Sequence, residues 1–157
     1  MRTGTLTISV LLLLNVVMFA GPQAMVKPST DGRGTAEQWL RLVDAGRYAA
    51  SWNQAAKSFQ SRITKEEWIT GMEKARTFYG KVLSRKFKKA AFDVNPPGFP
   101  SGEYETLWYK TRLAIAGTAL EVVSMEREGG GAWRVSAFYV VPERKLRFLP
   151  LEFLDHR

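Results

Sequence analysis

Between Thr35 and Tyr79 apolar residues recur every three or four positions; from about Lys81 to Val141 they alternate with polar ones, so the chain passes from helical to sheet periodicity near Gly80. Thr35 with Gln38 makes a capping-box pattern ahead of Trp39, Leu40, Leu42 and Val43, and Gly46 supplies a stop, which predicts a helix over about 36–45. Tyr48, Trp52, Ala55, Ala56 and Phe59 share one face of a second helix, broken near Ser61 and Arg62. Thr64 with Glu67 opens a third, in which Trp68, Met72, Ala75, Arg76 and Tyr79 share a face until Gly80.

The sheet half begins with Lys81 to Phe92, where Leu83, Arg85 and Phe87 face one way and Ser84, Lys86 and Lys88 the other. Asn95 to Gly102 holds three prolines and two glycines, which a ladder cannot accommodate, so it reads as a rigid loop. From Tyr104 to Ala116 the odd positions Glu105, Leu107, Tyr109, Thr111, Leu113 and Ile115 form the more apolar set. Gly117-Thr118 predicts a turn. Ala119 to Glu128 changes parity between Leu120/Val122 and Val123/Met125, which predicts a bulge. Gly129 to Gly131 then reverses the chain into a strand over Trp133–Val141, with Trp133, Val135, Ala137, Tyr139 and Val141 assigned to the core. Helices first and hairpin-linked strands afterwards predict an α+β domain: three N-terminal helices packed on a curved four-stranded antiparallel sheet, with an apolar interior either filled or opened as a pocket.

Composition narrows the chemistry. The 157-residue chain has no cysteine and a single histidine, His156, so disulfides, thiolate nucleophiles, cysteine zinc sites, multi-histidine metal sites and histidine triads are excluded; neither metal nor cofactor is expected. The formal charge of +8 is scattered, with its densest group at Lys81, Arg85, Lys86, Lys88 and Lys89, and reads as a solvated strand face rather than a nucleic-acid site. Arg2 followed by the apolar run Leu6–Ala20 makes residues 1–24 a signal peptide or an uncleaved anchor, and residues 25–34 a flexible spacer, so the protein is expected to be exported to the periplasm or cell envelope. Residues 142–157 form a basic, apolar tail that would fold back on the domain, dock on a partner or touch a membrane surface; membrane association is expected only through this tail or an uncleaved N-terminus.

The segment Trp39-Leu40-x-Leu42-Val43-Asp44-x-Gly46-x-Tyr48-x-x-Ser51-Trp52-x-x-Ala55-Ala56 resembles the bacterial domain of unknown function 4019. The resemblance continues through Trp68, Arg76, Gly80, Ser84-Arg85, Pro97-Gly98-x-Pro100-x-Gly102-x-Tyr104, Glu121-x-Val123 and Gly131-x-Trp133-Arg134-Val135, covering about 36–141. It implies exported bacterial proteins of unassigned activity, with an architecture similar to the nuclear-transport-factor-2-like, cystatin-like cone, and supplies no catalytic residues. The strand Trp108-Tyr109-Lys110-Thr111-Arg112 is more basic than that pattern, and the tail lies outside it.

Two functional expectations follow. In the first the protein is a noncatalytic envelope module binding a small apolar or anionic ligand or a protein partner, with Trp52, Trp68, Tyr109 and Tyr139 lining a cavity and Arg76 and Arg85 offering charge; the alternative is that these side chains only fill the core and pair internally. An inward Arg76 and Arg85, both meeting Glu105 or Glu121, would remove support for binding through them. In the second, similarity to the cone implies isomerase or hydratase chemistry with a pocket carboxylate base and a tyrosine donor, for which the strand reading offers Glu105 and Tyr109 on the concave face and Asp93 at a strand end. A homodimer through sheet and tail overlaps the first.

Overall fold

The computed structural model describes residues 31–143. The signal or anchor segment, most of the spacer and the tail beyond Glu143 lie outside the described residues. Among the described residues four helices, α1 (Gly32–Asp44), α2 (Tyr48–Gln54), α3 (Lys57–Arg62) and α4 (Lys65–Tyr79), precede four strands, β1 (Val82–Val94), β2 (Glu103–Leu113), β3 (Gly117–Arg127) and β4 (Trp133–Pro142). The strands form one antiparallel sheet in the order β1-β2-β3-β4, a meander that needs only hairpin connections.

The helix starts and stops follow from capping. α4 begins with the expected box, Thr64 accepting from the Glu67 amide while Glu67 accepts from the Thr64 amide, and ends at Gly80, whose φ of +78° suits a residue without a side chain. α1 starts four residues before the expected position. Its cap is Asp31, whose carboxylate accepts from the amides of Arg33 and Gly34 at 3.0 Å each, so the glycine-bearing stretch read as spacer forms the first turn and Thr35 lies inside the helix. The expected second helix is two. Ala55 and Ala56 are extended, and the Ala56 amide donates to the Val135 carbonyl of β4 at 2.9 Å, a tertiary bond that local periodicity does not contain.

One face of the sheet packs on the helices. Trp39, Leu40 and Val43 of α1, Trp68 and Met72 of α4, Leu107 and Tyr109 of β2, Val123 and Met125 of β3, and Trp133 and Val135 of β4 are all buried in one core. The odd positions of β2 point inward as expected from Leu107 to Leu113, whereas Ile115 sits exposed in the turn Ala114–Ala116, which replaces the turn expected at Gly117-Thr118. Leu83 is exposed too, because the β1–β2 register slips between Val82 and Ser84.

The bulge expected in β3 falls on its partner. Ser124 pairs with Ala137 and Met125 with Val135, so Ser136 is the extra residue, and parity reverses beyond it. Phe138 packs against the core and Tyr139, assigned to the interior from sequence, stands 52% exposed on the opposite face. There it follows Trp108 and Val122 along one cross-strand row, with Lys89 lying 4.7 Å over the Trp108 ring.

Candidate functional site

Two polar features share the interior face of the sheet, and they are built on the same rung. Tyr109 of β2 pairs across the ladder with Glu121 of β3 and with Phe87 of β1; the next rung places Arg85 opposite Thr111. Both Tyr109, 1% exposed, and Glu121, 2% exposed, are buried.

Glu121 is fully engaged. Arg85 donates from Nε to Oε2 and from Nη2 to Oε1, and Thr111 Oγ1 donates to Oε2. The same guanidinium holds Asp44 at the end of α1 through Nη1 at 2.7 Å and Nη2 at 3.1 Å. Burial works against the Arg85 charge, but the bonds to Glu121 and Asp44 more than offset it and raise its pKa above the ordinary value. Arg76 completes the cluster: it donates to the carbonyls of Gly80 and Val43 and lies 3.7 Å from Asp44. Arg85 therefore meets Glu121 as the sequence criterion required, whereas Arg76 meets Asp44 and two carbonyls rather than Glu105 or Glu121. The network joins α1, α4, β1, β2 and β3, and its geometry is that of internal compensation. Beside it lies a void of about 30 Å³ lined in part by Arg76, Glu121, Met72 and Phe138, room for about one water.

Tyr109 is the opposite case. Its hydroxyl is buried and has no hydrogen-bond partner among the described residues. It borders a cleft of about 260 Å³ between α1 and the β1–β2 hairpin, walled by Arg33, Glu37, Leu40 and Arg41 on the helix and by Arg85 and Phe87 on β1. Spacing explains the helical wall, since Arg33, Glu37 and Arg41 recur at four-residue intervals on the face adjoining Leu40. Arg33 donates to Glu37 at 2.8 Å and its guanidinium lies 3.9 Å from the Phe87 ring centre, while the Phe87 and Tyr109 rings meet edge to face at 5.7 Å. Burial first, and the nearby Glu37 carboxylate second, push the phenol up to about 12, so it stays a neutral donor across the physiological range.

The other sequence candidates are placed apart from this cleft. Trp68 is core: its indole N–H donates to Ser51 Oγ at 3.0 Å, and its ring packs with Trp39, Phe59 and Phe138. Trp52 donates to the Ile63 carbonyl and carries Lys65 5.1 Å above its ring. Glu105 lies against the start of α1, where its carboxylate leaves no room for a Cβ on Gly32; burial, then Asp31, raises its pKa. Tyr139 is on the far face. Of the seven candidates, only Arg85 and Tyr109 border the cleft. Arg33, Glu37 and Arg41 were missed because charges at four-residue spacing ordinarily mark a solvated helix face; the signal that could have found them was their register with the Leu40 stripe.

A family model described as a protein of unknown function, DUF4019, matches residues 35–138. The chain belongs to this family. No curated protein matches it. Within the DUF4019 segment fall Glu37, Arg41, Arg85, Phe87 and Tyr109, whereas Arg33 precedes it and Tyr139 follows it. Among the described residues of this DUF4019 protein no group of three acidic, histidine or cysteine side chains is placed to hold a metal, and no helix is long and apolar enough to cross a membrane.

Proposed function

We propose that the protein is an exported, noncatalytic module of the bacterial periplasm or cell envelope that binds a small ligand in the cleft between α1 and the β1–β2 hairpin. The observation that carries this reading is the Tyr109 hydroxyl, buried at the edge of that cleft without a partner among the described residues. Leaving a buried hydroxyl unpaired costs about 1–3 kcal/mol, and a phenylalanine would fill the same space without that cost, so the group fits a role completed by a bound molecule. Export is supported by Arg2 and the apolar run Leu6–Ala20. Helices followed by a four-stranded meander are in keeping with kinship to the nuclear-transport-factor-2-like cone, a fold suited to enclosing small molecules. The acid–base alternative has a specific observation in its favour, the raised pKa of Glu105, but that carboxylate lies against Gly32 and does not border the cleft, so binding is the better reading.

Mass spectrometry of the protein purified from its native envelope tests the proposal. A chain recovered from the envelope fraction, carrying a small molecule released on denaturation, is expected. Recovery from the cytoplasm with nothing bound would overturn it.

A further inference from the structure

We propose that the cleft recognises a small monocarboxylate with an apolar or aromatic body, its carboxylate meeting Tyr109 and Arg41 and its body lying against Phe87 and Leu40, with the Arg33–Glu37 pair as a displaceable cover. The inference rests on the binding role proposed above and specifies its ligand.

The charges decide the sign of the ligand. Arg85 is engaged by both Glu121 and Asp44, and Arg33 is paired with Glu37 through one hydrogen bond, whereas Arg41 has no side-chain partner among the described residues. One uncompensated cation beside a neutral phenol donor matches a single carboxylate: the guanidinium supplies charge and the hydroxyl a directed hydrogen bond. Size decides the rest, because about 260 Å³ lies just below the range of drug-sized pockets and suits a ligand of one ring or a short branched chain. The walls supply an aromatic edge at Phe87 and an aliphatic side chain at Leu40 for that body.

The cover is cheap to move. Arg33 and Glu37 are 46% and 37% exposed, and an exposed pair at four-residue spacing on a helix contributes little to stability, so a ligand that exchanges Glu37 for its own carboxylate also frees Arg33 as a second cation. The hydroxyl beneath is costly to leave unpaired. That imbalance is what a binding step would release.

Titration of the protein with benzoate, followed by amide chemical shifts and calorimetry, tests the assignment, with benzamide and inorganic phosphate as uncharged and non-apolar controls. Benzoate is expected to bind saturably below about 10 mM, benzamide about tenfold or more weaker, and phosphate is expected not to compete. Tyr109→Phe and Arg41→Gln should each weaken benzoate about tenfold, Tyr109→Phe without any loss of thermal stability in the free protein, whereas Glu37→Gln should strengthen it. A purely structural Tyr109 would show the reverse, with lost stability and unchanged titration. Equal binding of benzamide, competition by phosphate, wild-type affinity in Tyr109→Phe or absence of saturation each overturns the inference. If benzoate fails while protein from the envelope carries another class of molecule, the binding role stands and the carboxylate assignment falls.

Discussion

Glu121 and Tyr109 are cross-strand neighbours, equally buried and on the same face of the sheet, yet both oxygens of one are hydrogen-bonded and the hydroxyl of the other has no partner among the described residues. The difference separates two uses of interior polarity. Where donors from β1 and β2 converge on a carboxylate, the polar group fastens the sheet to α1; where the donor is left over beside an open cleft, it is available to something from outside. The same protein thus contains its own control for deciding which buried polar residue is architecture.

The largest expected break in that comparison is Glu121→Ala, which strands Arg85 with Asp44 alone and orphans the Thr111 hydroxyl; unfolding in urea should show a loss of about 3–5 kcal/mol. A loss below about 1 kcal/mol would mean that the network is not closed in solution. Thr111→Val removes one donor while keeping Arg85 on the carboxylate, and the same measurement should give a loss of about 1–2 kcal/mol.

Away from that network the effects shrink. Burial and the neighbouring Asp31 raise the Glu105 pKa in the folded state, so the folded protein holds that proton more tightly than the unfolded chain. Its contribution to stability is therefore highest at low pH, declines as pH rises from the ordinary carboxylate value through the raised one, and is level beyond. Unfolding of Glu105→Gln across pH 3–8 should show that decline flattened, about that range being where carboxylates titrate; an unchanged profile would remove the assigned cause. Smallest of all, Arg41→Gln should move the unfolding free energy by no more than about 0.5 kcal/mol, as expected of an exposed side chain without a partner among the described residues. A larger loss would place Arg41 with the fastening network rather than with the cleft.

Local signals carried most of the architecture. The Thr64–Glu67 box, the positive φ of Gly80, the odd-position stripe of β2 and the glycine reversal, where Gly130 and Gly131 have φ of +97° and +84°, are short-range chemistry and stand where the residues put them. What the residues did not reveal depends on distant partners. α2 and α3 separate because Ala56 bonds to Val135, and Tyr139 leaves the interior because Ser136 is inserted opposite an unbroken β3. Arg85 was legible as an inward charge, but its two carboxylates come from 41 residues upstream and 36 downstream. Arg33, Glu37 and Arg41 looked like ordinary solvated charges until β1 was laid alongside them.

The helix break has a further consequence at the margin of the sheet. The carbonyls of Val135 and Ser136 on β4 are occupied by the Ala56 amide and the Arg62 guanidinium, so the chain plugs that border from within. β1, the other border, is guarded among the described residues by its register slips and by Lys86, Lys88 and Lys89. Of the two borders as described, β1 would accept a further strand more readily than the part of β4 that the helices seal, and conditions that mask lysine charge would widen that difference.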